Sequence, residues 1–237
     1  SLCAAAVAAL GAELGIADAY ANEENRKGFF EHPDIVEFND RLLTALGGCW
    51  DNPLFAGAAS LQAFDSQPWH AEALALLLAI RGEASLFALK DPRICQLLDF
   101  WIPVFRAAGY GDGQLFLVHT LRDPCEVALS QQQRAQANPD FYEIGRQPAE
   151  GAALWLSLSA QALAGSARLP TYYLAYEDLL TRPRELLGEL AAFIGAAPDP
   201  DQRGAFCAEF VDPALRRSTA VAPVRAALTQ QFPQVLE

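Results

Sequence analysis

Methionine is absent from the 237 residues, and lysine occurs only at Lys27 and Lys90 among 17 Lys plus Arg. A chain this long ordinarily carries several methionines. The expectation is therefore that residues have been lost, those before Ser1 included, and that a spacing crossing a lost methionine is one residue short. Arginine in place of lysine, with abundant alanine, reads as GC-rich coding and makes each lysine worth inspecting. Long apolar runs are also lacking: Ala73 to Ile80 fits a buried helix face, and no run is long enough to span a bilayer. His32, His70 and His119 are scattered, and the five cysteines include no C-x-x-C pair, so neither a metal site nor a disulfide frame is expected. Buried thiols in a reducing, cytoplasmic setting are expected instead. Basic residues are outnumbered 17 to 29, and the net charge of -12 excludes a general nucleic-acid binder or an adsorbed membrane protein.

What is present is a globular composition, 52% hydrophobic and 19% charged, of a size for one domain over residues 1–237. Three segments share the order apolar strand, turn, helix. They are Ser85–Leu89 then a helix from about Arg93 to Arg106; Gln114–Thr120 then Cys125 to about Gln136; and Thr171–Ala175 then Pro183–Ile194. Asp91-Pro92 and Asp123-Pro124 combine an N-capping carboxylate with a proline that needs no N–H, and Gly195 stops the third helix. Continuous apolar strands separated by helices predict an α/β fold: a three-layer sandwich with a central parallel sheet flanked by helices. Further helices are predicted at Leu2–Leu14, Ile35–Leu46, Glu72–Ile80, Ala149–Ala167 and Asp201–Phe210, with loops at Gly47–Pro68 and Arg134–Pro148. A parallel domain usually begins with a strand. Because this chain opens on a helix, a preceding strand and a phosphate-binding loop are expected before Ser1.

Ligands of open parallel sheets bind beyond the carboxyl ends of the strands. Lys90, Arg122 and Tyr176 each follow a predicted strand by one or two residues, so they should meet at one crevice. Two cations and a phenol there suit an anionic, planar-ringed ligand, a nucleotide. Arg122 and Ser130, eight apart across a helix start, could share one phosphate; the plain alternative pairs Arg122 with a nearby carboxylate. Glu31 and His32 stand before the Ile35–Leu46 helix, either as its caps or with one of them as a general base. Asn39 and Asp40 read as a solvated helix face, Lys27 as surface, and the four tryptophans as core or lid. Arg216 and Arg217 read as an exposed pair or as a further phosphate contact.

Four blocks in order carry a resemblance: Asn25-Arg26-Lys27-Gly28-Phe29-Phe30-Glu31, Lys90-Asp91-Pro92-Arg93, Leu121-Arg122-Asp123-Pro124 with Ser130, and Tyr176-Glu177-Asp178-Leu179. Together they resemble bacterial members of the sulfotransferase family that uses 3′-phosphoadenosine 5′-phosphosulfate, over residues 1 to about 195. The resemblance implies a P-loop nucleoside triphosphate hydrolase-like fold and that nucleotide as donor. It implies a sugar, small-molecule or other hydroxyl or amine acceptor, and no metal, nucleic acid or membrane span. On it, Arg122 and Ser130 hold the 3′-phosphate, with Tyr176 and the pair Arg216 and Arg217 as further nucleotide contacts. Lys90 answers the charge on the leaving oxygen, and Glu31, ahead of His32, takes the acceptor proton. The family's Gly-x-x-Arg-Ser-Gly-Thr-Ser-like phosphosulfate loop is not in the sequence; Ser1 stands where its last hydroxyl residue would be. Two other readings remain: a P-loop kinase or nucleoside triphosphatase with Asp91 or Asp123 holding magnesium, and a family member that binds without turnover.

Overall fold

Proline placement sets many of the helix starts. Pro33, Pro124, Pro148, Pro183 and Pro200 each occupy a first helical position, where the missing N–H leaves no bond unmade. In the computed structural model, residues 1–16, 21, 25, 27–111, 113–140, 142, 144–197, 199–212 and 221–231 are described. The elements are α1 (Leu2–Ala8), α2 (Pro33–Ala45), α3 (Gly57–Gln62), α4 (Gln67–Arg81), α5 (Ile94–Ala107), β1 (Leu117–Leu121) and α6 (Pro124–Ala137). They continue as α7 (Pro148–Ser166), β2 (Thr171–Ala175), α8 (Tyr176–Thr181), α9 (Pro183–Ile194), α10 (Pro200–Glu209) and α11 (Ala222–Gln231). No helix among the described residues is long and apolar enough to cross a membrane.

The fold is α/β, with helices flanking a small parallel sheet. β1 and β2 run parallel from Leu117 opposite Thr171 to Leu121 opposite Ala175. A parallel pair needs a long crossover, here supplied by α6 and α7. One face of the pair, through Val118, Tyr172 and Leu174, packs on α1, α8 and α9 around Ala6, Leu179, Leu187 and Leu190. A second apolar cluster joins α2, α4 and α5, with Ile35, Phe38, Leu77, Leu97 and Trp101 at its centre. The segment carrying Phe87 and Leu89 lies against this second cluster. A third, smaller cluster docks Val224 and Leu228 of α11 on Cys125 and Ala128 of α6. α3 approaches α5 so closely that a Cβ on Gly57 would stand 1.9 Å from the Gln96 carbonyl oxygen, which only glycine permits.

Several sequence expectations change. The helix predicted over Leu2–Leu14 stops at Ala8, because the chain turns through Gly11 at φ 90 and brings Glu13 alongside Phe87. The strand predicted at Ser85–Leu89 is present as one parallel bridge, Glu13 to Phe87, closed by Glu13 N–H to Leu86 O and Ala88 N–H to Glu13 O, both 2.9 Å. The Tyr176-Glu177-Asp178 turn is itself a helix, α8, with two acids in the first turn where the helix dipole favours them. The Gly47–Pro68 loop contains α3, and α11 had no counterpart in the sequence reading. The cysteines are all free; of the expected buried thiols only Cys125 is buried, while Cys3, Cys95 and Cys207 are half-buried and Cys49 is exposed.

α2 and α5 are tied by a buried polar bond that the apolar pattern does not announce. Asn39, wholly buried, accepts at Oδ1 from Trp101 Nε1 at 2.9 Å. Trp101→Phe keeps an aromatic ring, a smaller one, and removes the donor, leaving that oxygen dry and unpaired. We expect a loss of about 1–3 kcal/mol in urea unfolding. A variant as stable as wild type would show that the bond contributes nothing.

Candidate functional site

Glu31 is aimed by strain and burial together. Phe30, immediately before it, has φ 59, the one described non-glycine residue in the left-handed region. For a bulky residue that conformation costs about 1–3 kcal/mol. It is held because the Phe30 ring is buried among α1 and α9 residues and packs 6.0 Å from the Phe210 ring. The turn sends the Glu31 carboxylate to Lys90, with which it forms an ion pair. Their side chains keep 17% and 29% exposure, so the pair sits at the rim of the interior and not in it. Ser1 lies beside the pair: its hydroxyl caps α1 by accepting from Ala4 N at 3.4 Å, and its nitrogen donates to Gly28 O close to Lys90 and Glu31.

Lys90 is fixed from behind by the residue after it. Asp91 Oδ2 accepts from Asn39 Nδ2 at 2.9 Å, and Asp91 Oδ1 accepts from the Arg93 backbone N–H at 2.9 Å and from Arg93 Nη1 at 3.1 Å. Arg93 also forks onto Asp40, through Nε at 2.6 Å and Nη2 at 3.1 Å. Burial pushes the Asp91 carboxyl above its ordinary value, against the opposing pull of Arg93 and Asn39. The nearby thiols are not nucleophiles: burial raises Cys3, and pushes Cys95 up to about 11, so both stay protonated at neutral pH.

The first turn of α1 joins this group to the end of β1. The Cys3 thiol, which also feels Lys90, hydrogen-bonds the Thr120 side chain. Two residues on, the Arg122 guanidinium lies 4.8 Å from the centre of the Tyr176 ring, a cation–π contact between the ends of β1 and β2. Arg122 Nε donates to Glu126 Oε2 at 3.0 Å across one helical turn. The carboxylate alternative for Arg122 is therefore realised, but through Nε alone; its two Nη groups have no bond among the described residues and stay open to an anion. Asp123 Oδ1 caps α6, accepting from Cys125 N–H at 2.7 Å and Glu126 N–H at 3.3 Å, while Oδ2 pairs with Arg225 of α11.

The sequence-predicted residues divide as follows. Glu31, Lys90 and Ser1 come together, and so do Arg122 and Tyr176. His32 caps α2, its Nδ1 accepting from Asp34 N–H at 3.3 Å, which is the plain reading of that residue. Ser130 is half-buried on α6, and no hydrogen bond among the described residues joins it to Arg122. Arg216 and Arg217 lie outside the described residues. Lys27 donates to Glu209 O and stands 5.8 Å from the Phe210 ring. Asn39 is a correction: it is buried, not solvated, and it was findable, since it falls in the i, i+3, i+4, i+7 stripe of Ile35, Phe38 and Leu42. Among the described residues no three His, Cys, Asp or Glu side chains gather as a cation site. No family model matches the chain, and neither does any curated protein or solved structure.

Asp123 generates a pH test. Burial raises its pKa, but the Arg225 bond and the two helix N–H donors outweigh that and hold it below its ordinary 3.8. A depressed carboxylate adds stability that is present above the unfolded pKa and lost as pH falls through the folded one. Asp123→Ala should therefore cost about 0.5–2 kcal/mol at neutral pH. In urea titrations the gap from wild type should close once the pH is taken well below 3.8. A gap that ignores pH would mean that the ionised carboxylate is not the cap.

Proposed function

We propose that this protein is a sulfotransferase that moves a sulfuryl group from 3′-phosphoadenosine 5′-phosphosulfate to a hydroxyl or amine of a small-molecule or carbohydrate acceptor. The observation that carries the reading is the meeting of Glu31, Lys90 and Ser1 at the start of α1, with Arg122 and Tyr176 at the neighbouring strand ends. A carboxylate and an ammonium side by side supply the two functions an in-line transfer needs: a proton acceptor, and a cation for the charge left on the departing oxygen. The fit to an anionic nucleotide rests on the open Nη groups of Arg122 and on the Tyr176 ring beneath them.

The donor, when bound, supplies the activated sulfuryl group and a 5′-phosphate oxygen as leaving group. The chain's residues do the rest. Arg122 offers its two free Nη donors to a phosphate in the fork geometry that arginine provides. Tyr176 backs the guanidinium. Lys90 presents a compact charge suited to one oxygen, and Glu31 takes the acceptor proton. The parallel pairings of Glu13 with Phe87 and of β1 with β2 support a larger parallel sheet of the three-layer P-loop type. The donor's chemistry also supports a cytoplasmic setting. The magnesium-dependent kinase reading loses its acids, since Asp91 is occupied by Asn39 and Arg93 and Asp123 by its cap and Arg225.

The test is transfer of labelled sulfate from the donor across a panel of acceptors, together with donor hydrolysis. Glu31→Gln should fold normally and lose about 10²–10⁴ in turnover. Lys90→Arg should bind nucleotide and lose most turnover, because a broad fork does not replace a point charge. Turnover near wild type in both variants would remove these residues from the chemistry. In the same preparation, Arg122→Ala should weaken adenosine 3′,5′-bisphosphate binding by about 2–5 kcal/mol. Ser130→Ala should weaken it by about 0.5–1.5 kcal/mol. Unchanged affinity in both would show that the 3′-phosphate binds elsewhere.

A further inference from the structure

We propose that the Glu31–Lys90 ion pair is a latch opened by an anionic ligand, so that the acceptor-side base becomes available only after the phosphate-bearing ligand has bound. For the identity of that ligand the inference rests on the sulfuryl-transfer reading; the latch itself requires only an anion.

The two groups block each other as they stand. A carboxylate oxygen bonded to an ammonium is not available to accept a proton from a second group. An ammonium already answered by a carboxylate has little left for a second oxyanion. Neither can work until they separate, and the surroundings determine which one moves. Glu31 is placed by the left-handed turn at Phe30, whose ring is locked in the core. Lys90 has a four-carbon flexible stem and 29% side-chain exposure, so its ammonium can swing without backbone movement. Arg93 cannot take its place, because its guanidinium is spread over Asp40 and Asp91.

Departure of Lys90 changes what Glu31 faces. What remains near it is the Ser1 nitrogen and the Asp91 carboxylate, the latter pinned by Asn39 and Arg93. The same movement that gives the incoming anion a cation thus releases the Glu31 carboxylate from its partner. The consequence is an order of events: anion first, then an acceptor that can be deprotonated.

The latch makes a prediction opposite to that of a merely structural ion pair. Glu31→Gln frees Lys90 in advance, so adenosine 3′,5′-bisphosphate and inorganic pyrophosphate should each bind about 3–10-fold tighter than to wild type by calorimetry. Simple relief of repulsion by the lost carboxylate would also tighten binding, so the measurement is repeated in a Lys90→Gln background. The latch predicts that the gain disappears there, whereas repulsion predicts that it survives. A second readout keeps the native pair: with Lys27→Arg, Lys90 is the single lysine left, and its labelled side-chain NMR signal reports it alone. That signal should move on adding either anion to the otherwise native protein, and Glu31→Gln should move it without any ligand. Equal or weaker affinity in Glu31→Gln, a gain that persists without Lys90, or a Lys90 signal that no anion moves would each overturn the latch. Tightening for pyrophosphate with no binding of the nucleotide supports the latch and sinks the nucleotide reading. Nucleotide binding without tightening does the reverse.

Discussion

The Asp91 carboxylate is the constraint on which the arrangement depends. It is a buried charge, and a buried charge persists only if its oxygens are fully met. Asn39 meets one oxygen, and the Arg93 backbone and guanidinium meet the other. Asn39 in turn takes its remaining bond from Trp101. Through four side chains this fixes α2, α5 and the segment between them, so that Lys90 leaves the second apolar cluster at one place only. The same bonds account for the fork of Arg93 onto Asp40, which closes the outer side of α2. Breaking any of them leaves a buried polar group unpaired, so the group holds or fails as a unit.

Around that anchor the site has two halves with one hinge. The α2 side supplies Glu31 and Lys90; the β1–β2 side supplies Arg122 and Tyr176. The first turn of α1 touches both, with Ser1 near Lys90 and Cys3 on Thr120. In an acidic chain of net charge -12, this concentrates cations where backbone turns rather than surface composition place them. The cations are also partly satisfied in advance, Lys90 by Glu31 and Arg122 by Glu126 through Nε. Ligand binding at such a site is an exchange of partners, which ties affinity to the strength of the bonds given up.

How much of this was legible follows from the kind of signal each element leaves. β2 and α9 were read with the bounds the structure has, because Pro170, Pro183 and Gly195 bracket them and no long-range contact is needed to define them. α1 was read too long: its alanines continue a helical pattern, and only the positive φ of Gly11 and the bridge from Glu13 to Phe87 end it. The strand predicted at Ser85–Leu89 shrank to a bridge for the same reason, since strands are defined by partners that sequence does not name. α8 was hidden by its turn-like composition. Of the site, the meeting of Arg122 with Tyr176 was legible, as both stand at the ends of predicted strands. The pairing of Glu31 with Lys90 was not, because it depends on the left-handed turn at Phe30, which no residue type there signals. The capping role of His32 was legible, since a residue just before Pro33 is well placed to cap a helix.

The central claim is that the site takes a nucleotide bearing phosphates at both its 3′ and 5′ ends. Thermal unfolding with adenosine 3′,5′-bisphosphate, set against ATP with magnesium at the same concentration, tests it most directly. The account predicts a dose-dependent rise in midpoint with the bisphosphate and little response to ATP with magnesium, since a ligand stabilises only the fold that binds it. A rise with ATP and magnesium alone would contradict it.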